Sequence, residues 1–254
     1  VTLERFLDRV DTDATDRSLV VVNRRAPAPV QRMLDSLFDN QSITVKEATL
    51  PDTADDTVFL VEDDAVVAAS PLSELQDAIL FINSDLFTTG ALALEDADLP
   101  AVLAGLADTR FTVRGYPDSH KEKLLLILVS RHIERHAWNA DGGTLRSSFQ
   151  RLSRIDDEIG TRDVYRRLDD TAVDVNAYGA PGWTPPSTSD ITIHAGHERD
   201  FLDSWFVVYD PDGDADADAL ALLAVQQTAN EWQGFWTRRP SLVTDLNEYI
   251  AHRL

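Results

Sequence analysis

The chain contains no cysteine, which excludes disulfides, thiolate nucleophiles and cysteine-ligated zinc. It is nearly without lysine, with Lys46, Lys121 and Lys123 as the whole supply. Glycine-rich phosphate loops are missing too. Gly179 and Gly182, like the pair Gly142-Gly143, match neither the Walker nor the dinucleotide spacing, which disfavours nucleotide hydrolysis. No apolar window approaches the roughly eighteen residues of a membrane-spanning helix. The opening residues, Val1 to Leu7, lack the basic region and apolar core of a secretion signal. A cytoplasmic protein without membrane contact is expected.

Acid is what the chain has in excess. Its 33 Asp and 11 Glu face 20 Arg and 3 Lys, a net charge of −21 over 254 residues. Self-repulsion on this scale destabilises a compact state in dilute buffer, and molar salt, with a Debye length of about 3 Å, removes most of it. The composition points to the cytoplasm of a salt-accumulating halophile. It argues against direct nucleic-acid binding or anionic membranes, because no basic stripe is available to neutralise phosphates. A hydrophobic content of 43% suffices for a core in one large domain or two small ones.

Hydrophobic spacing predicts a mixed α/β fold, a mixed sheet with flanking helices. Leu3, Phe6, Leu7 and Val10 have helical spacing, and Leu19 to Val22 is a β-branched strand. Residues 28–39 form a helix with Val30, Met33, Leu34, Leu37 and Phe38 on one face. Ile43 and Val45 alternate with polar neighbours, and Val58–Val61 and Ala65–Ala69 flank Glu62-Asp63-Asp64 as a hairpin. Ser70-Pro71-Leu72 opens a further helix with proline in its first turn, ending before a turn at Thr88-Thr89-Gly90. A short helix over 99–106 and a strand over 110–116 follow. A soft boundary near residue 108 divides an N-terminal α/β lobe, 1–108, from a C-terminal unit, 109–254; no linker marks it, so the two can share one continuous sheet.

The second unit opens with a capping box, Ser119 to Glu122, at the head of a helix reaching about residue 140. Its six apolar residues Leu124 to Val129 wrap all sides, so this helix is buried in a core. Beyond Gln150, Leu152, Ile155 and Ile159 line one helix face; Gly160 stops that helix and Thr161 caps a second one burying Val164 and Leu168. Val173, Val175 and Ala177 alternate with Asp174, Asn176 and Tyr178 as a half-buried strand. A rigid loop over 179–189 carries Trp183 among prolines. Strands at 191–193, 205–209 and 220–225, a short helix at 198–203 and an amphipathic final helix from Pro240 complete the chain.

The order Lys123, Leu125, Leu126, Ser130, Arg131, Ile133, Glu134, then Phe149, Gln150, then Tyr165, Arg166, Arg167 resembles the DICT domain. So do Trp205-Phe206-Val207-Val208 and the closing Phe235-Trp236-Thr237. The resemblance covers about 111–254. It implies a non-catalytic signal-input module acting with a histidine kinase, a response regulator or a transcription regulator, and a small-molecule ligand whose identity the pattern does not supply.

Candidate site residues come from two sources. Ser130, Arg131 and Glu134 are polar groups beside a buried helix face. Charges there must be paired, with Gln150 or Arg151 as partners. Such a network either holds the fold or changes partners when a signal binds. Phe149 and Gln150 belong to the same motif. Trp183, Trp205, Trp232 and Trp236 crowd the C-terminal half, and aromatic side chains line small-molecule pockets; Trp205 and Trp236 read as core, Trp183 and Trp232 less so.

Other groups fail in detail. Asp210 to Asp218 lacks the sixth-position glycine and twelfth-position glutamate of a calcium loop, with Ala215 and Ala221 in those places. His132 and His136 stand four apart, but Glu134 is misplaced for a zinc-protease motif, and no third ligand is evident. His194 and His197 have no triad partners. An enzyme of unrecognised type would show displaced titrating groups around one cleft, and a pure scaffold an exposed apolar patch.

Overall fold

The structure, a computed structural model, describes residues 2–10, 16–27, 32, 34–35, 37–38, 41, 43–87, 94, 98–114, 122–213 and 217–254, with the backbone alone at 80–87, 122 and 123. The capping box at Ser119, the turn at 88–90 and most of the helix expected over 28–39 fall outside these residues.

Two mixed sheets carry the fold. The first has the order β2-β1-β3-β4, built from β1 (Arg17–Val22), β2 (Thr44–Ala48), β3 (Thr57–Glu62) and β4 (Ala65–Pro71). β1 runs parallel to β2, and the other pairs are antiparallel. The expected hairpin is present: Glu62 pairs with Ala65 across a two-residue loop, in which Asp63 and Asp64 take φ of 48° and 65°. Two left-handed residues give a turn whose twist matches that of the strands. Pro71 ends β4 rather than starting the helix; α1 (Leu72–Phe87) begins one residue later and buries Leu72, Leu75 and Ile79. α2 (Ala101–Ala104) follows.

The second sheet has seven strands in the order β5-β11-β10-β9-β6-β7-β8. They are β5 (Phe111–Arg114), β6 (Thr144–Arg151), β7 (Asp174–Ala180), β8 (Thr192–Ala195), β9 (Ser204–Asp210), β10 (Leu220–Thr228) and β11 (Glu231–Thr237). β6, β7 and β8 are mutually parallel and the rest antiparallel. The helices are α3 (Glu122–Ala140), α4 (Arg154–Asp157), α5 (Ile159–Asp169), α6 (Arg199–Leu202) and α7 (Pro240–Arg253).

Two strands had no counterpart in the expected elements: β6, whose last five residues are Ser147 to Arg151, and β11, which carries Trp232 and Trp236. Two expectations are corrected. β7 is buried on both faces, with Asn176 and Tyr178 covered as fully as Val175, because Val175 and Ala177 pack into the cluster of α3 and α5 while Tyr178 meets Phe201 and Phe206 and His194 covers Asn176 on the other side. Gly160 does not stop a helix, nor does Thr161 cap one. The break falls at Glu158, whose extended backbone (φ −103°, ψ 112°) separates α4 from α5, and Ile159 is left 46% exposed.

Register places alternate residues of the large sheet on opposite faces. Trp205, Val207 and Tyr209 share a face with Leu222, Ala224, Trp232 and Trp236. This face belongs to an apolar cluster that also takes in α3, α5, α1 and the inner residues of the first sheet. The opposite face, with Phe206, Val208, Leu223 and Phe235, packs against a 3-10 helix (Leu3–Arg9) and α7. Gly234 is required where β11 meets β5: a Cβ there would stand 2.5 Å from the Leu223 carbonyl and 2.7 Å from the Phe111 ring.

Candidate functional site

Helix α3 carries Leu124 to Val129 into the core and then presents polar side chains where it meets α5 and the sheet. The Arg131 guanidinium donates to Glu134 Oε2 at 2.6 Å and to Thr161 Oγ1 at 3.0 Å. The Thr161 hydroxyl donates to Glu158 Oε2 at 3.2 Å, and the Tyr165 phenol donates to Glu134 Oε1 at 3.2 Å. Glu134 is 3% exposed, so each carboxylate oxygen is used and the cost of taking this charge out of water is offset by its own partners. Burial, then the Glu134 charge, raise Tyr165 well above the ordinary tyrosine value; the phenol stays a donor. The expected partners, Gln150 and Arg151, do not join. Thr161 and Tyr165, one helical turn apart on α5, reach α3 first, while β6 turns away at its end.

Around this pair lie two aromatics. Phe149 meets Tyr165 edge-on with ring centroids 5.1 Å apart. Trp205 donates its indole N–H to Ser130 Oγ at 3.2 Å. The structure thus brings together Ser130, Arg131, Glu134, Phe149 and Trp205. Trp236 is buried and Trp232 half-buried in the same apolar cluster at the β11 end of the sheet. Trp183 is tied to α4 through Asp156 Oδ2 at 2.8 Å. Gln150 adopts a left-handed φ of 56° at a bulge in the β6–β7 ladder, where it accepts a hydrogen bond from Arg154 at 3.0 Å.

Two hollows flank these residues. One is apolar, lined by Leu75 and Ile79 of α1, Leu124, Leu125 and Leu128 of α3, and Phe38; at about 10 Å³ it is no larger than a single water needs. The other is an open cleft of about 620 Å³ at the ends of β6 and β7, bounded by Gln150, Arg151, Ser153, Arg154, Asp157 and Leu202.

His132, on α3, is held down to about 4, chiefly by burial and next by His136, whose ring lies 4.4 Å away. Among the described residues no group of three His, Asp or Glu is placed to hold a metal, and no helix is long and apolar enough to cross a membrane. On the opposite face, Tyr178 stacks on His194 at 4.3 Å and accepts a hydrogen bond from Arg146 at 2.7 Å. The residues missed from sequence are Glu158, Thr161 and Tyr165. Only Tyr165 carried a signal, its place in the Tyr-Arg-Arg motif.

A sequence profile described as DICT, a sensory domain in diguanylate cyclases and two-component systems, matches residues 101–227. No curated protein matches. Among solved structures, polyphosphate kinase from Porphyromonas gingivalis aligns with a TM-score of 0.38 and 13% identity, covering 63% of this chain and 26% of that one. The chain spans about a quarter of that protein's length.

Proposed function

Because the chain belongs to the DICT family of sensory domains, we propose that it is a signal-input protein whose output passes to a histidine kinase, a response regulator or a transcription regulator. The observation that carries this is the buried Arg131–Glu134 pair, closed by Thr161 and Tyr165 of α5. It joins two helices and, through Phe149, the end of β6. A polar contact of this kind has discrete alternatives. Releasing Tyr165 or Thr161 from α3 shifts the helix pair between packings, and a ligand that prefers one packing moves the population. Binding of a small molecule, without direct contact to nucleic acid or membrane, is part of this proposal. So is a single structural unit: the apolar cluster is continuous from β1 to β10, and Asp108 accepts hydrogen bonds from Thr237 at 2.6 Å and Arg239 at 2.9 Å.

The rival readings have less support. Among the described residues the groups whose ionisation is clearly displaced are His132 and Tyr165 on the α3 side and Tyr178, His194 and Tyr249 on the other, and none of them lines the open cleft at the ends of β6 and β7, where convergence would favour catalysis. Among the described residues the exposed large apolar side chains are Leu50, Val66, Val67, Ile159 and Leu202, drawn from four separate segments with only Val66 and Val67 adjacent, which gives little support to a scaffold's docking patch.

The test is an Arg131→Met/Glu134→Leu double variant, assayed with a regulator that copurifies with the wild-type chain. The variant should fold and copurify yet leave the regulator's activity unchanged. A double variant that regulates like wild type would sink the switch. Native mass spectrometry in volatile salt should show the wild-type chain carrying a small molecule.

A further inference from the structure

The parallel strands β6 and β7 end side by side, and the chain leaves and re-enters this edge on opposite faces. From β6 it crosses by α4 and α5 on the face that holds α3: Ile155, Val164, Tyr165 and Leu168 pack into that cluster. From β8 it returns to β9 by α6, whose Phe201 packs into the cluster of the other face. Connections that part to opposite faces open a crevice beyond the carboxyl ends of the strands, the position where open α/β sheets take their ligands. Here that crevice is the 620 Å³ cleft, with Ser153, Arg154 and Asp157 on one wall and Leu202 of α6 on the other.

Its floor is shaped by a special backbone. Gln150 takes its left-handed φ where the ladder skips from Ser148 to Arg151. Gly179 lets β7 pass so close that an added Cβ would lie 3.2 Å from the Leu152 nitrogen and 3.3 Å from the Gln150 carbonyl carbon. A bulge of this sort re-aims the side chains that follow it, and those are Arg151 and Arg154. Carboxylates outnumber basic side chains by 21 in this chain. Yet among the described residues neither arginine makes an ion pair, and Asp157 on the same cleft pairs with neither. Arg154 holds Gln150 instead.

We propose that this cleft binds a small oxyanion, a phosphate or carboxylate group, between Arg151 and Arg154, with Leu202 covering an apolar part of the ligand. The planar guanidinium fork suits both groups. The ligand is the signal of the preceding section, so the inference rests on that reading only for its consequence: Phe149, next to Gln150, touches Tyr165, which leads to Glu134.

Calorimetry on the full chain, at an ionic strength fixed with KCl, tests the site with inorganic phosphate and with succinate as separate probes. One probe or both should bind with unit stoichiometry; phosphate alone identifies a phosphoryl ligand, and succinate alone a carboxylate. Arg151→Gln and Arg154→Gln should each weaken binding by roughly tenfold or more, with Arg151→Lys keeping part of it. Arg253→Gln, a control for general charge, should change nothing. The proposal is overturned if neither probe binds, or if both glutamine variants bind like wild type. Calorimetry is independent of any regulator, so loss of the site leaves the sensory reading standing, whereas a probe that binds without altering the regulator removes the coupling.

Discussion

On the side of the large sheet facing α7, the middle strands are closed by hydrocarbon: Phe206, Val208, Leu223, Val225 and Phe235 meet Leu3, Phe6, Leu242, Leu246 and Ile250. The side facing α3 is packed with apolar residues too but holds a buried ion pair, Arg131 with Glu134, joined to a threonine and a tyrosine, whereas the polar contacts of the α7 side, Arg146 to Tyr178 and Asn247 and Asn247 to Asp210, include no ion pair. Apolar packing is non-directional and tolerates small displacements in concert. A buried ion pair with every oxygen used does not, because each partner lost leaves a charge without water. The first face therefore holds the sheet together, while the second sets where α3 and α5 sit.

The comparison breaks most clearly on single against double substitution. Arg131→Ala or Glu134→Ala should each cost about 3–5 kcal/mol, and the Arg131→Met/Glu134→Leu pair should recover most of that. Phe206→Ala on the other face should cost a similar ~3–5 kcal/mol with no second substitution nearby to restore it. Denaturant titration measures all four. Singles costing below about 1 kcal/mol would mean that the pair behaves as a surface bridge and the contrast is unfounded.

His132 adds a dependence on pH to the α3 side. Its folded value of about 4 lies below the unfolded value of about 6.5, so the unfolded chain takes up the proton first. Stability is complete above pH 6.5 and is lost as pH falls from there towards 4, on the order of 3 kcal/mol by the lower limit and less in so far as water screens the ring. His132→Leu should flatten this limb in urea midpoints taken at pH 7 and pH 5. An unchanged limb would place the acid sensitivity elsewhere.

Trp205→Phe keeps most of the ring and removes the donor to Ser130. It should cost about 1 kcal/mol, and a loss of that size would show that the contact counts in the fold. Salt should leave the comparison itself untouched. Raising KCl from low to multimolar concentration should raise the melting temperature of every variant, because the −21 charge is a property of the whole surface. The gap between single and double variants at 131 and 134, being buried, should stay constant. Melting temperatures independent of salt would remove the halophile inference.

What could be read from the residues alone follows from how local each cause is. The β3–β4 hairpin was legible because alternation and a two-aspartate turn occupy adjacent positions. β10 was legible as an apolar run. β6 was not: Thr144 to Arg151 holds only Leu145 and Phe149 as apolar residues, and its burial comes from being wedged between β9 and β7. β11 was hidden by Glu231, Gln233 and Gly234, whose places are set by neighbours more than a hundred residues away at β5. In the site, the Arg131–Glu134 spacing of three residues was a local signal of a pair. Thr161 and Tyr165, thirty residues on, were not, since only the crossover from β6 to β7 brings α5 against α3. The cleft was invisible for the same reason, as it exists only where a bulge and two connections meet.

The order of the large sheet also governs where the chain can be cut. β11 lies between β5 and β10, yet comes after both, beyond the last residue of the family match at 227. A fragment trimmed to 101–227 would strip β5 of its neighbour and turn β10, with Leu220 to Val225 fully covered in the whole chain, into a bare edge. Such an edge recruits strands from other molecules. The trimmed piece should therefore aggregate as it leaves the ribosome, and the same hazard attends the intact chain during synthesis until β11 has emerged and closed the gap.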